Sequence, residues 1–328
     1  MLHTRLYPPS TSRRALVRIH DEVLAKLESS LGVRPAQTKR SDADGVLALS
    51  SIQPGVASVL FRSYRNPPPP SSSTSALPTP PPLRSAYQVA ARYRLPDGSV
   101  RIYTKTSAAP LDDWPTPQLD IELGGDAKEL IFYVGLGPRS FTADFPYVEH
   151  YMHRPPPPHP LGTGTNGTND GSASAPAPAP RSLLAIEAEA QAQPGFSPFV
   201  SPSMWVRGLS ASALCFTVAW DAGRDAAAMA AVRSYAHAVT DTWLAHLMAD
   251  AQTLAAVRNG TADANSGGKA VPPPPAAAAA SDPWVVEQWR RAAAALRESK
   301  RNDPATPMMV PVFGQEQVDK WVELSSGL

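Results

Sequence analysis

The chain has 328 residues and a formal net charge of +1 at neutral pH, so no global field draws it to nucleic acid or to an anionic membrane surface. Cys215 is the only cysteine, which excludes an intramolecular disulfide, a multi-cysteine zinc site and a four-cysteine iron–sulfur cluster. The 37 prolines are more than twice the usual share of about 5 %, and they gather in PPPP and PPP runs beside Ser-, Gly- and Ala-rich stretches.

In chain order, residues 1–14 lack acids and hold three arginines. That is the composition of a targeting leader, in too short a stretch to be one, since Asp21, Glu22 and Glu28 follow at once; a cleaved leader ahead of this sequence is left open. Leu16, Ile19, Val23, Leu27 and Leu31 recur at helical spacing, with Ser12 as the expected N-cap and Gly32 as the stop. Strands are expected at GVLALSSI and ASVLFRSY. AYQVAARYRL and SVRIYTKTS follow as a hairpin about Pro96-Asp97-Gly98. LDIEL (119–123) and ELIFYVGL (129–136) are two further strands across Gly124-Gly125-Asp126. Helices are predicted over 145–153 and 181–192, then a strand at ALCFTVAW (213–220). Met229, Val232, Ala236, Val239, Trp243 and Leu247 form the apolar stripe of a long helix, followed by helices over about 284–301 and 315–324. Short links between neighbouring strands favour an antiparallel sheet. The expected fold is α/β, a three-layer α/β/α sandwich with a central antiparallel sheet flanked by helices. One domain would span 1–328, with disordered Pro-rich insertions at 67–83, 156–180 and 257–282, which cannot bury enough apolar surface to offset the entropy of ordering. No apolar run approaches the ~20 residues of a membrane helix.

Chemistry concentrates in few places. Alternation in LDIEL sets Leu119, Ile121 and Leu123 on one face and Asp120 with Glu122 on the other. A solvated edge is the plain reading of that second face. The neighbouring strand, however, is apolar on both faces, so a carboxylate facing a cavity is the sharper alternative, and a desolvated Glu is able to act as a general acid. His150 and His153 read as exposed histidines at a helix end, and His237 with Asp241 as a surface polar pair. His237 and His246 are out of phase on one helix and do not share a metal. The basic run WRRAAAALRESKR (289–301) reads as a solvated face, or as a docking patch for an acidic protein. Residues 197–208, SPFVSPSMWVRG, combine two stiffening Ser-Pro steps with Phe199, Met204 and Trp205; such a segment is buried or lines something.

PGFSPFVSPSMWVRG (194–208) also resembles a distinctive segment of red chlorophyll catabolite reductase, a family of plants and algae. PQLDIELGGDAKELIFYVGLGPRSFTADFPYVEHYM, RRALVRIHDEVLAKLESSLG and PVFGQEQVDKWVELSSGL are similar to further parts of that family, covering most of the chain outside the Pro-rich stretches. The resemblance implies the sandwich fold of ferredoxin-dependent bilin reductases and reduction of red chlorophyll catabolite, a linear tetrapyrrole, to primary fluorescent chlorophyll catabolite. It implies reduced ferredoxin as external electron donor, no bound flavin or metal, and a chloroplast setting. Pheophorbide a oxygenase and a second copy of the chain are further implied partners. By position in the family pattern, Glu122 and Asp303 are the catalytic carboxylates, although the residues around Asp303 depart from that pattern, and Ser210 is a pocket residue linked to product stereochemistry. Arg207 and Arg139 are candidates to hold substrate carboxylates through a guanidinium fork, or equally to pin the sheet to a helix. Trp205 and Met204 would wall the tetrapyrrole or pack behind it. Two other readings stay open: a bilin reductase of different substrate, and a non-catalytic tetrapyrrole-binding protein.

Overall fold

The computed structural model describes residues 11–36, 45–66, 83–94, 98–126, 129–137, 139, 144–157, 181–200, 213–219, 226–258, 275–276, 282–303 and 306–326. Helix α1 (Thr11–Leu31) opens the chain, and its stripe Leu16, Ile19, Val23, Leu27 and Leu31 is buried throughout. It stops at Gly32, whose φ of 66° lets its N–H reach back to the Glu28 carbonyl at 2.9 Å. The strands β1 (Arg34–Pro35), β2 (Val46–Ser50), β3 (Ala57–Arg65), β4 (Leu83–Arg94), β5 (Val100–Pro110), β6 (Gln118–Gly125) and β7 (Glu129–Gly137) follow. After them come α2 (Phe145–Val148), running into a π-helical turn at Glu149–His153, then α3 (Leu183–Ala192), β8 (Phe196–Pro198) and β9 (Ala213–Ala219). The long helix α4 (Ala226–Arg258) precedes α5 (Pro283–Arg301), α6 (Thr306–Phe313) and α7 (Gln315–Ser325).

All nine strands join one antiparallel sheet in the order β1-β3-β4-β5-β6-β7-β9-β8, with β2 also paired to β3. The α/β reading and the β4–β5 hairpin hold. Because side chains alternate across a strand, each strand from β3 to β7 presents residues to both sides of the sheet. Leu119, Ile121, Leu123, Leu130, Phe132 and Val134 face α1, α3 and α4 and are wholly buried. The α4 stripe Val232, Ala236, Val239, Trp243 and Leu247 closes that layer, and Trp243 donates its indole N–H to the Pro117 carbonyl at 2.8 Å. Each such fully buried large side chain contributes roughly 1.5–3 kcal/mol. On the other side Val59, Phe61, Tyr87 and Val89 pack against Phe313, Val318 and Leu324 of the C-terminal helices.

Several boundaries differ from the expected ones. Leu83 already belongs to β4, residues 257–258 still belong to α4, and Asp282 caps α5 by accepting the Trp284 N–H at 2.9 Å. The bulk of the three Pro-rich stretches lies outside the described residues. Three short elements escaped the sequence: β1 and β8, which need the pairing of β3 and β9 to exist, and α6, an apolar helix carrying Pro311. Among the described residues no helix is long and apolar enough to cross a membrane.

Candidate functional site

Strands β5 and β6 place Lys105 directly opposite Glu122 and Ser107 opposite Asp120. Arg101, Tyr103 and Lys105 therefore share a face with Asp120 and Glu122, on the side of the sheet away from α1 and α4. Lys105 Nζ donates to Glu122 Oε1 at 2.6 Å and lies 3.3 Å from Asp120 Oδ1. Tyr103 Oη donates to the other Glu122 oxygen at 2.9 Å. Asp120 also accepts from the Gln118 side-chain amide at 3.1 Å.

The electrostatics of this cluster are interlocked. Burial alone would lower the Lys105 ammonium, but the charges of Asp120 and then Glu122 outweigh it and hold its pKa well above the usual lysine range. Burial acts to raise Asp120, yet Lys105, Lys300 and hydrogen bonds from Ser107 and Gln118 keep it below the usual carboxylate range. Burial first, and the Glu122 charge next, push the Tyr103 phenol well above its ordinary value, so it remains an O–H donor. Glu122, expected as a carboxylate facing a cavity, lines it and has a donor at each oxygen, Lys105 at one and Tyr103 at the other.

This cluster forms one wall of a cavity of about 500 Å³, within the range of ligand sites. The opposite wall comes from the C-terminal helices: Lys300 at the end of α5, Asp303 just beyond it, Met309 of α6 and Trp321 of α7. Lys300 donates to the Tyr87 hydroxyl at 3.3 Å and the Ser325 carbonyl at 3.0 Å, and sits 5.3 Å from the Tyr87 ring centroid. Its hydrogen-bond partners are neutral, and its charge faces Asp120 across the cavity. Gly124 lines the floor, and a Cβ there would meet the Tyr103 ring at 3.4 Å, an ordinary contact. Ile131 of β7 also lines the cavity. Cys215 of β9, paired in register with Tyr133, is half-buried, and burial followed by the Glu122 charge pushes its thiol up to about 11. It is no thiolate nucleophile at neutral pH.

Glu122 and Asp303, far apart in sequence, thus line one cavity. Arg139 does not join them. It is buried among carbonyls, with its guanidinium donating to Pro110 O at 3.0 Å and Thr116 O at 3.4 Å, and it ties the loop before β6 in place. Met204, Trp205, Arg207 and Ser210 lie outside the described residues; the segment leading to them is extended, with Phe199 N–H donating to Cys215 O at 2.9 Å. The residues missed by sequence reasoning are Tyr103, Lys105 and Lys300.

A second polar cluster lies in the α4 layer. Asp250 accepts from Tyr151 Oη at 2.7 Å and from Thr116, and burial raises its carboxyl to about 7. His150, expected at the surface, packs against His246 with ring centroids 5.2 Å apart. Burial, and then Arg154, pushes His150 down to about 4; burial, and then His150, takes His246 down to about 3. His237 and Asp241 do not pair with each other. They reach separately to α1, His237 to Glu22 at 3.1 Å and Asp241 to Lys26 at 2.6 Å. No cluster able to hold a metal ion occurs among the described residues.

No family model matches this sequence, and no curated protein does. Among solved structures it is similar to phytochromobilin synthase from tomato, determined in complex with biliverdin. The TM-score is 0.54 with 14 % identity, over 95 % of this chain and 82 % of that one. A likeness of that kind concerns the fold.

Proposed function

We propose that this chain is a ferredoxin-dependent reductase of a linear tetrapyrrole, and that its substrate is red chlorophyll catabolite, reduced to primary fluorescent chlorophyll catabolite. The observation that carries the reading is the meeting of Glu122 and Asp303 on one cavity, within a fold similar to that of a protein solved with biliverdin. A chloroplast setting and reduced ferredoxin as donor belong to the same proposal.

The chemistry asks for little beyond binding, one-electron delivery and protons. A conjugated tetrapyrrole that accepts an electron becomes a more basic radical anion and must be protonated at carbon before or as the second electron arrives. The Glu122 wall and the Asp303 end supply those protons from opposite sides of the bound chromophore. Lys300 offers its charge to a substrate carboxylate. Tyr87, Tyr93, Tyr103 and Trp321 provide aromatic surface for the pyrrole rings.

The test is anaerobic incubation of the full chain with red chlorophyll catabolite, ferredoxin and a reducing system, beside Glu122→Gln and Asp303→Asn. A blue-fluorescent product from wild type, cut at least tenfold in each variant, is the expected result. Biliverdin under the same conditions is the second substrate to try, given the ligand of the similar structure. Turnover of biliverdin but not of red chlorophyll catabolite would move the substrate. Binding without turnover of either would leave a tetrapyrrole carrier.

A further inference from the structure

Lys105, Tyr103, Asp120 and Glu122 meet at the centre of the cavity wall, and Lys105 and Tyr103 are the two donors to Glu122. Glu122 accepts on Oε1 from Lys105 and on Oε2 from Tyr103. Asp120 is surrounded by donors: Lys105, Gln118 and Ser107. Lys105 carries three N–H bonds: one is donated to Glu122, Asp120 stands 3.3 Å away as an ion pair, and Lys105 lines the cavity, which leaves an N–H for a bound ligand. Its side chain keeps 14 % exposure, against 26 % for Glu122.

On the reading above, we infer that Lys105 is the catalytic acid at this wall, handing its free proton to the reduced tetrapyrrole while Glu122 and Asp120 hold it in place and charged. The donor is a one-electron iron–sulfur protein. Its first electron converts the bound tetrapyrrole to a radical anion. One N–H bond of Lys105 then breaks and one C–H bond forms on the chromophore, leaving a neutral amine and a neutral substrate radical. The second electron makes the carbanion, and the second proton enters from solvent at the Asp303 end. Two electrons and two protons are consumed in all, and Lys105 regains its proton from water after product leaves.

The tight pairing explains why the residue resists giving up its proton before reduction. Burial favours the neutral amine, the two carboxylates favour the ammonium, and the carboxylates prevail in the resting protein. A radical anion in the cavity is a new and stronger base that is absent until the first electron arrives. The groups that titrate around Lys105 are Asp120 and Glu122 on β6, Tyr103 on its own strand, Tyr87 on β4 and Lys300 on α5.

Lys105→Arg is the decisive variant. It keeps the charge between Asp120 and Glu122, but a guanidinium does not release a proton in this range. Lys105→Met removes the proton as well as the charge. Both are compared with wild type in single-turnover reduction of red chlorophyll catabolite, with absorbance titration of the oxidised chromophore and electron paramagnetic resonance of freeze-quenched samples. The expected result is a catabolite Kd within threefold of wild type for Lys105→Arg, an organic radical signal that accumulates in both variants, and product formation slowed at least thirtyfold. Recovery of wild-type rates in Lys105→Arg would reduce Lys105 to a charge that positions Glu122, and would overturn the proposal. So would undiminished turnover in Lys105→Met. If wild type itself binds no tetrapyrrole, the proposed function fails and this inference fails with it, whereas wild-type turnover with indifferent variants sinks the inference alone.

Discussion

The two faces of strands β5, β6 and β7 are built from alternating residues of the same strands and do opposite things. Toward α1 and α4 lie Thr106, Ile121, Leu123, Phe132 and Val134, none of them exposed. Toward the C-terminal helices lie Tyr103, Lys105, Asp120, Glu122 and Tyr133, all half-buried. One face is dry and holds the molecule together. The other is kept partly open, and its polar groups satisfy one another across strands. A period of two residues is enough to separate stability from chemistry within a single sheet.

The sharpest way to test that division is to damage each face with neighbouring residues. Phe132→Ala on the dry face should cost about 3–5 kcal/mol in urea unfolding, because the void left among α1, α4 and the sheet cannot be filled by water. Ile131→Ala, one residue away on the cavity face, should cost far less, about 1 kcal/mol, since solvent reaches it. Equal losses would mean that the two faces are not energetically distinct.

The dry side also buries groups that titrate, and pH exposes them. Asp250 has a folded pKa near 7 against a usual value of 3.8, so the folded state binds more protons between those values. Its contribution is therefore most favourable below about pH 4 and declines as pH rises towards 7, where the buried carboxylate must ionise. His20, His150 and His246 work the other way: their folded pKa values are depressed to about 3, 4 and 3, so their neutral burial costs nothing above pH 6.5 and destabilises as pH falls below it. Asp250→Asn should raise stability at pH 8 by about 2 kcal/mol, the full linkage of ~4 kcal/mol being reduced by the unmet donors of the amide. The gain should vanish at pH 4. Thermal unfolding at both pH values checks it, and a variant that is less stable at pH 8 would show that the Asp250 carboxylate is favoured by its donors and its pKa is not raised.

Two smaller effects complete the contrast. Tyr103→Phe removes one donor to Glu122 and should slow tetrapyrrole reduction roughly tenfold, about 1.4 kcal/mol of barrier, with unfolding free energy changed by ~1 kcal/mol or less. The measurement is kcat beside a denaturation curve. Lys26→Ala breaks a pair with Asp241 on the outer surface, whose partners keep 27 % and 58 % exposure. It should cost less than ~0.5 kcal/mol, and nothing in 1 M salt.

The alternation in LDIEL was legible in the sequence because it needs only local geometry, and it set Asp120 and Glu122 opposite the apolar stripe. Asp303 came from the family resemblance and not from spacing. Lys105 sits in a visible strand, SVRIYTKTS, but its pairing with Glu122 depends on the register set by residues 111–117, which no local pattern fixes. Lys300 was read within a solvated basic run, yet it turns inward because the Tyr87 hydroxyl and the Ser325 carbonyl, distant in sequence, give it partners. His150 was misjudged for a similar reason: its neighbours His246 and Tyr151 come together only when the π-helical turn after α2 packs on α4. Contacts between distant segments are where reading by periodicity stops.

The central claim is that the open face, between Glu122 and Asp303, is where a linear tetrapyrrole binds. A crystal structure of the full chain with red chlorophyll catabolite tests it most directly. The account predicts the chromophore between Lys105 and Trp321, with a carboxylate within hydrogen-bond distance of Lys300 and a reducible carbon near Lys105 Nζ. A chromophore bound anywhere else on the protein, with this cavity filled only by water, would contradict it.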